Sequence, residues 1–157
     1  MELNDRISRA CRRQPLDRTP VWLMRQAGRY LREYQQVRAE VPFLELCRNP
    51  DLATEVSLQP YRAFGMDGVI IFSDILIPVE AMSVQVEFTE QGPQIPRPVR
   101  TQDEVEALQV PDPLDSLAFV AEIVRRLRRE LSGAAEVIGF AGAPWTLATY
   151  MVEGGSA

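Results

Sequence analysis

Three short apolar runs punctuate the chain: Val21-Trp22-Leu23-Met24, Val69-Ile70-Ile71-Phe72 and Val137-Ile138-Gly139-Phe140-Ala141. Each is long enough for a strand and too short for a helix crossing a core. Their continuous apolar character is that of parallel strands covered on both faces. A fourth stretch differs, because Val84, Val86 and Phe88 alternate with Gln85 and Glu87. That period of two predicts a half-exposed strand, turned back at Gln91-Gly92-Pro93 as an excursion hairpin. Pro96 and Pro98 bar a central strand beyond it.

Helical spacing fills the intervals. Leu3 to Arg13 reads as a modest amphipathic helix carrying Ile7, Ala10 and Cys11, with Asn4 or Asp5 as its cap. Asp17-Arg18-Thr19-Pro20 is a turn into the first strand. Tyr30 to Val41 presents Leu31, Tyr34 and Val37 on one face and stops before Pro42. Phe43 to Cys47 is a short helical piece, and Asn49-Pro50 caps a helix that runs through Leu52, Val56, Gln59 and Ala63 to Phe64-Gly65. Asp67-Gly68 is a turn. Thr101 and Glu104 form a capping box, and Pro111-Asp112-Pro113 breaks the chain. The longest helix is expected over Leu114 to Leu131, with Leu117, Val120, Ile123, Val124, Leu127 and Leu131 as its core stripe. Arg125, Arg126, Arg128 and Arg129 read as a solvated cluster that complements the helix dipole. Pro144 opens a last helix through Trp145, Leu147 and Tyr150.

Strand, helix, strand, excursion, helix, strand, helix is a parallel α/β order. A doubly wound open sheet has no support, since no G-x-G-x-x-G follows the first strand. A (β/α)₈ TIM-type barrel needs about 250 residues. A chain of 157 residues would then be the N-terminal part of a single barrel domain spanning 1–157, and the glycine-rich end after an apolar helix reads as an interruption.

Composition narrows the chemistry. All 17 basic residues are arginine, which removes a lysine Schiff base, and the net charge of −5 argues against general nucleic-acid binding. Cys11 and Cys47 lie far apart, and the chain has no histidine, so neither a metal site nor a disulfide framework is suggested. No run approaches the length of a membrane span, and the opening residues are too charged for a signal peptide, so the expected compartment is the cytoplasm.

Each candidate reactive residue follows an apolar run, which in a barrel is the face where active sites sit. Arg25-Gln26-Ala27-Gly28-Arg29 follows the first. Two guanidiniums flanking a glycine suit a loop whose backbone approaches a bound anion, and they equally suit a solvated pair opening a surface helix. Asp74 follows the second run. It either caps the segment Ile75 to Ala81 or faces a cavity at the strand end. Tyr150 lies about 9 Å into the last helix, within reach of the third strand end or packed in the core.

P-V-W-L-M-R-Q-A-G-R-Y-L (20–31), I-I-F-S-D-I-L (70–76) and G-F-A-G-A-P-W-T-L-A-T-Y-M-V-E-G-G-S (139–156) closely resemble the three N-terminal signatures of the uroporphyrinogen decarboxylase family. That resemblance implies a distorted (β/α)₈ barrel, usually dimeric, with a deep cleft and no metal or organic cofactor. It places substrate-binding arginines at Arg25 and Arg29 within the segment Arg25-Gln26-Ala27-Gly28-Arg29, the central aspartate at Asp74 and the active-site tyrosine at Tyr150. It implies a tetrapyrrole substrate, uroporphyrinogen, whose four acetates lose carbon dioxide to give coproporphyrinogen. The family's further serine or threonine and histidine come from a C-terminal half that this chain lacks. An inactive fragment with open sheet edges is therefore expected. Corrinoid-linked methyltransferases are the nearest alternative, but they call for zinc-binding His and Cys residues and fit the arginine segment poorly. A non-catalytic truncated fragment is a second alternative.

Overall fold

The computed structural model describes residues 3–24, 30–89 and 92–155. The described chain divides into two units, one formed by Met1–Ser73 with Phe119–Phe140 and the other by Asp74–Ala118 with Ala141–Ala157.

In the first unit, α1 (Arg6–Cys11), α2 (Arg32–Glu40), α3 (Phe43–Arg48) and α4 (Pro50–Phe64) precede β1 (Gly68–Ile70). The start and stop of α4 follow the sequence signals. Asn49 accepts the amides of Asp51 and Leu52, Pro50 occupies the first turn, and Gly65 ends the helix in the left-handed region at φ 62°. This helix packs on β1, α2 and α3, burying Ala53, Val56 and Leu58. Its buried Ser57 hydroxyl donates to the Ala53 carbonyl (2.7 Å) and accepts the Phe72 amide (2.8 Å), which holds the chain just beyond β1. Tyr34 and Phe43 pack their rings against Phe72 at centroid distances of 5.9 and 5.6 Å.

Later in the chain β4 (Glu136–Ile138) pairs in parallel with β1, in the register Gly68↔Glu136, Val69↔Val137 and Ile70↔Ile138. The parallel order read from the apolar runs is thus present for the second and third of them. The first departs from expectation. Val21, Trp22 and Leu23 take no regular secondary structure, and Val21, Leu23 and Met24 are exposed. Among the described residues β4 is the strand paired with β1, and 21–24 pairs with neither, only Trp22 of that run being half-buried. An apolar run becomes a buried strand only where neighbours cover it. The same cause leaves β4 half-buried and ends it at Ile138 rather than Ala141, with Phe140 exposed.

The helix expected over Leu114 to Leu131 is two helices, α7 (Pro113–Ser116) and α8 (Ala118–Leu131), separated at Leu117. Asp112 caps α7 by accepting the Leu114 amide at 2.8 Å, and Leu117 leaves the helical region with φ −119°. The buried stripe of α8 is Ile123, Leu127 and Leu131, a subset of the expected one. Its arginines are partly paired rather than only solvated. Arg126 reaches both Glu122 on α8 and Asp51 on α4.

The second unit holds α5 (Ile77–Ala81), the antiparallel hairpin of β2 (Glu87–Thr89) and β3 (Gly92–Gln94), α6 (Gln102–Glu106) and α9 (Pro144–Glu153). The alternation read over 84–88 is realised in burial, with Val84 and Val86 inside and Gln85 and Glu87 outside. These join Leu76, Val79, Ile95, Val99 and Met151 in one apolar cluster. The Ile95 amide donates to the Gly154 carbonyl (2.7 Å) and the Val99 amide to the Met151 carbonyl (2.8 Å), which stitch the chain just after β3 to the C-terminal end of α9. Among the described residues, no helix is long and apolar enough to cross a membrane.

Candidate active site

Asp74 opens the second unit directly after the apolar residues that extend β1. Its Oδ1 accepts the Leu76 amide at 2.8 Å, and its carbonyl accepts the Ile77 amide at 3.4 Å, which shapes the turn into α5. One carboxylate oxygen thus satisfies an amide of the segment after it, closing a turn ahead of α5, whose N-cap Leu76 has no side-chain capping bond, while among the described residues Oδ2 has no hydrogen-bond partner. The side chain is half-buried, and burial pushes its carboxyl pKa above the ordinary value of 3.8, only partly countered by the Leu76 amide. A carboxylate short of both solvent and donors holds unused capacity to accept N–H groups.

Tyr150 sits in α9, half-buried against the apolar cluster of the second unit. Ile75, the residue after Asp74, packs on that same cluster. Asp74 and Tyr150 thus belong to one unit, yet no hydrogen bond joins them among the described residues. The packing role open to Tyr150 is filled beside Met151, though not beside Trp145, which is 83% exposed. Close backbone approach explains the G-A-P sequence that starts α9. A Cβ on Gly142 would lie 2.5 Å from Leu147 Cδ2 and 3.3 Å from Ile75 Cβ.

Arg25, Gln26, Ala27, Gly28 and Arg29 lie outside the described residues. Asp67, expected as part of a turn with Gly68, is instead the centre of a buried network that reaches Val21. The carboxylate of Asp67, a residue 1% exposed, accepts five hydrogen bonds from the described residues. Arg18 clamps it with two (2.6 and 2.7 Å), Asn4 Nδ2 and Arg6 donate to Oδ1 (2.9 and 3.4 Å), and the Val21 amide donates to Oδ2 (2.8 Å). Burial raises the pKa of this carboxyl, but the donors led by Arg18, Val21 and Asn4 outweigh it and bring it down to about 2. The available signal was an aspartate placed directly before a core strand in a chain whose N-terminal segment carries Arg6 and Arg18.

A hollow of about 580 Å³ in the first unit is lined by Leu3, Asn4, Arg128, Glu136 and Val137 and contains none of the predicted site residues.

Comparison with known proteins bears on what this partial site belongs to. The family model for uroporphyrinogen decarboxylase (URO-D) matches residues 2–157. A uroporphyrinogen decarboxylase of Myxococcus xanthus is 59% identical over 153 residues, covering 98% of this chain and 44% of that relative. One from Nitrosococcus oceani is 58% identical over 155 residues, covering 98% of this chain and 43% of its own length. The chain therefore spans less than half the length of the curated relatives it matches. A solved methyltransferase from Methanosarcina mazei superposes with a TM-score of 0.75 at 22% identity, covering 97% of this chain and 46% of that structure. That likeness shows the fold alone: the N-terminal part of a (β/α)₈ TIM-type barrel. With the matched family running across its length and the three signatures in order, this chain belongs to the uroporphyrinogen decarboxylase family.

Proposed function

We propose that the whole protein carrying this chain is a carboxy-lyase that removes CO₂ from the four acetate side chains of uroporphyrinogen III to give coproporphyrinogen III in tetrapyrrole biosynthesis. The observation that carries this reading is the 59% identity to a uroporphyrinogen decarboxylase across 98% of the chain. In this proposal Arg25 and Arg29 bind carboxylates of the substrate, because a guanidinium presents paired donors that match a carboxylate. Gln26, Ala27 and Gly28 supply the short backbone between them.

The substrate provides its own electron sink. Protonation of a pyrrole carbon creates an iminium-like cation, the adjacent acetate releases CO₂ into that sink, protonation of the resulting methylene carbon gives a methyl group, and loss of the proton first added to the ring carbon restores the pyrrole. Ionised Asp74 would accept the pyrrole N–H groups and stabilise the cation as it forms. The half-buried setting of Asp74 supports this role. A carboxylate that is poorly solvated at rest gains more from incoming N–H donors and positive charge than one already surrounded by water. Tyr150 would orient a reacting acetate. The whole protein would act as a cytoplasmic homodimer. This segment by itself would be inactive, because it spans less than half the length of the relatives it matches.

The test is decarboxylation of uroporphyrinogen by the complete protein and by its Asp74→Asn variant. The parent is expected to turn over all four acetates, and the variant to lose about 10²–10³-fold in kcat. A parent with no decarboxylase activity overturns the function, and near-normal turnover by Asp74→Asn overturns the role of Asp74.

A further inference from the structure

We propose that Leu147 is a positioning residue that seats α9, and with it Tyr150, against the turn carrying Asp74. This deepens the functional reading above and rests on it for its consequence in catalysis.

Since no hydrogen bond joins Asp74 to Tyr150 among the described residues, their relative placement depends on how α9 is held. Its two ends are held differently. At the C-terminal end, main-chain bonds from Val99 to the Met151 carbonyl (2.8 Å) and from Ile95 to the Gly154 carbonyl (2.7 Å) fix the helix. At the N-terminal end Ala143 makes no side-chain capping bond, and Ala143, Pro144, Trp145, Thr146 and Ala148 are exposed. Among residues 143–148, Leu147 alone is half-buried, and it packs on the same apolar cluster as Ile75 and Tyr150.

The seat of Leu147 is a notch left by an absent side chain. A Cβ on Gly142 would fall 2.5 Å from Leu147 Cδ2, 3.0 Å from its Cγ and 3.3 Å from Ile75 Cβ. Leu147 therefore fills the space over Gly142 beside Ile75. Ile75 in turn belongs to a braced turn, in which Asp74 accepts the Leu76 amide on Oδ1 (2.8 Å) and the Ile77 amide on its carbonyl (3.4 Å), with Leu76 only 1% exposed. A braced turn moves as a unit, so a shift at Ile75 is carried to Asp74. On α9, Leu147 and Tyr150 are three residues apart and share a face, so any rotation that empties the notch also swings Tyr150. Truncating a packed leucine leaves a space that its neighbours fill only in part. Displacements of about 1 Å are enough to cost about a hundredfold in rate where geometry is selected.

The experiment uses the complete protein with uroporphyrinogen as substrate, with rates expressed per folded enzyme. Leu147→Ala is expected to lower kcat about tenfold or more with KM within about twofold, because the groups it aligns act on the reacting acetate and its cation. Leu147→Met, which refills the notch with a side chain of similar reach, is expected to restore kcat to within about threefold of the parent. Val86→Ala opens the same apolar cluster just before β2 and is expected to leave kcat within about twofold. In a Tyr150→Phe background the loss caused by Leu147→Ala is expected to shrink, because both changes act through one alignment. An unchanged kcat in Leu147→Ala, an equal loss in Val86→Ala, or full additivity with Tyr150→Phe would each overturn the proposal. Should Leu147→Ala not fold, Leu147→Val carries the same test: a lower kcat at constant KM supports the role and an unchanged kcat overturns it. If the parent protein does not turn over uroporphyrinogen, the functional reading fails separately. Amide hydrogen exchange then decides the positioning: faster exchange over residues 74–79 in Leu147→Ala but not in Val86→Ala supports it, and no difference between the two variants overturns it.

Discussion

Acidification isolates the contribution of Asp67 to stability. In the folded chain its carboxyl pKa is about 2 against an ordinary 3.8. Because the folded value is the lower one, the folded state holds the ionised form more tightly than the unfolded chain does. The stabilisation is therefore complete above about pH 5 and is lost as pH falls through 3.8 toward 2. At about 1.4 kcal/mol for each tenfold change in proton affinity, that difference corresponds to roughly 2–3 kcal/mol. That magnitude is reasonable for an acid 1% exposed and held by Arg18, Val21, Asn4 and Arg6. Urea unfolding of the parent and of Asp67→Asn, followed from pH 7 to pH 2.5, measures it. Exposed carboxylates such as Glu104 and Glu122, whose pKa values are also lowered by their partners but share none with Asp67, titrate in both proteins and cancel in the difference. The parent is expected to be the more stable at pH 7, and most of its charge-dependent advantage should disappear by pH 2.5. A gap that stays constant across that range would show that the ionic network contributes nothing specific.

Two further outcomes follow from residues of the second unit. For Asp74 the sign is opposite, since burial raises its folded pKa above 3.8 and the ionised form works against folding at neutral pH. Asp74→Asn keeps an oxygen for the Leu76 amide, so its thermal midpoint at pH 7 should equal or exceed the parent's while turnover falls; a clearly lower midpoint contradicts this. Gly142→Ala forces a methyl group to 2.5 Å from Leu147 and 3.3 Å from Ile75. A loss of about 1–3 kcal/mol is expected in denaturant unfolding, accompanied by reduced turnover because Ile75 adjoins Asp74. A neutral substitution would show that α9 shifts freely.

Local chemistry was readable where a signal and its effect lie close together in the chain. The Asn49-Pro50 start of α4, the Thr101 and Glu104 capping box and the stop at Gly65 each need only a few neighbouring residues, and each is found. The alternation over 84–88 likewise predicted which side chains enter the cluster of the second unit. Leu117 marks the limit of this approach. A helical stripe ran smoothly through it, yet the Asp112 cap and the geometry at Leu117 divide α7 from α8. Of the site residues, Asp74 and Tyr150 were legible as polar groups following apolar runs. Their surroundings were not, because burial and partners depend on segments distant in sequence.

The sequence by itself determined the alternation of strands and helices, the caps and the three signatures that place the chain in its family, since these are written in local propensity and residue identity. Tertiary structure decided which apolar runs became strands. Val69 and Val137 pair and are covered to differing degrees, while Val21 and Leu23 stay exposed, because a strand requires neighbours that supply hydrogen bonds and cover. It also decided that Asp67 is a buried hub rather than a turn residue. Its donors lie up to 63 positions away in the chain, and only folding brings them within hydrogen-bonding distance of one carboxylate.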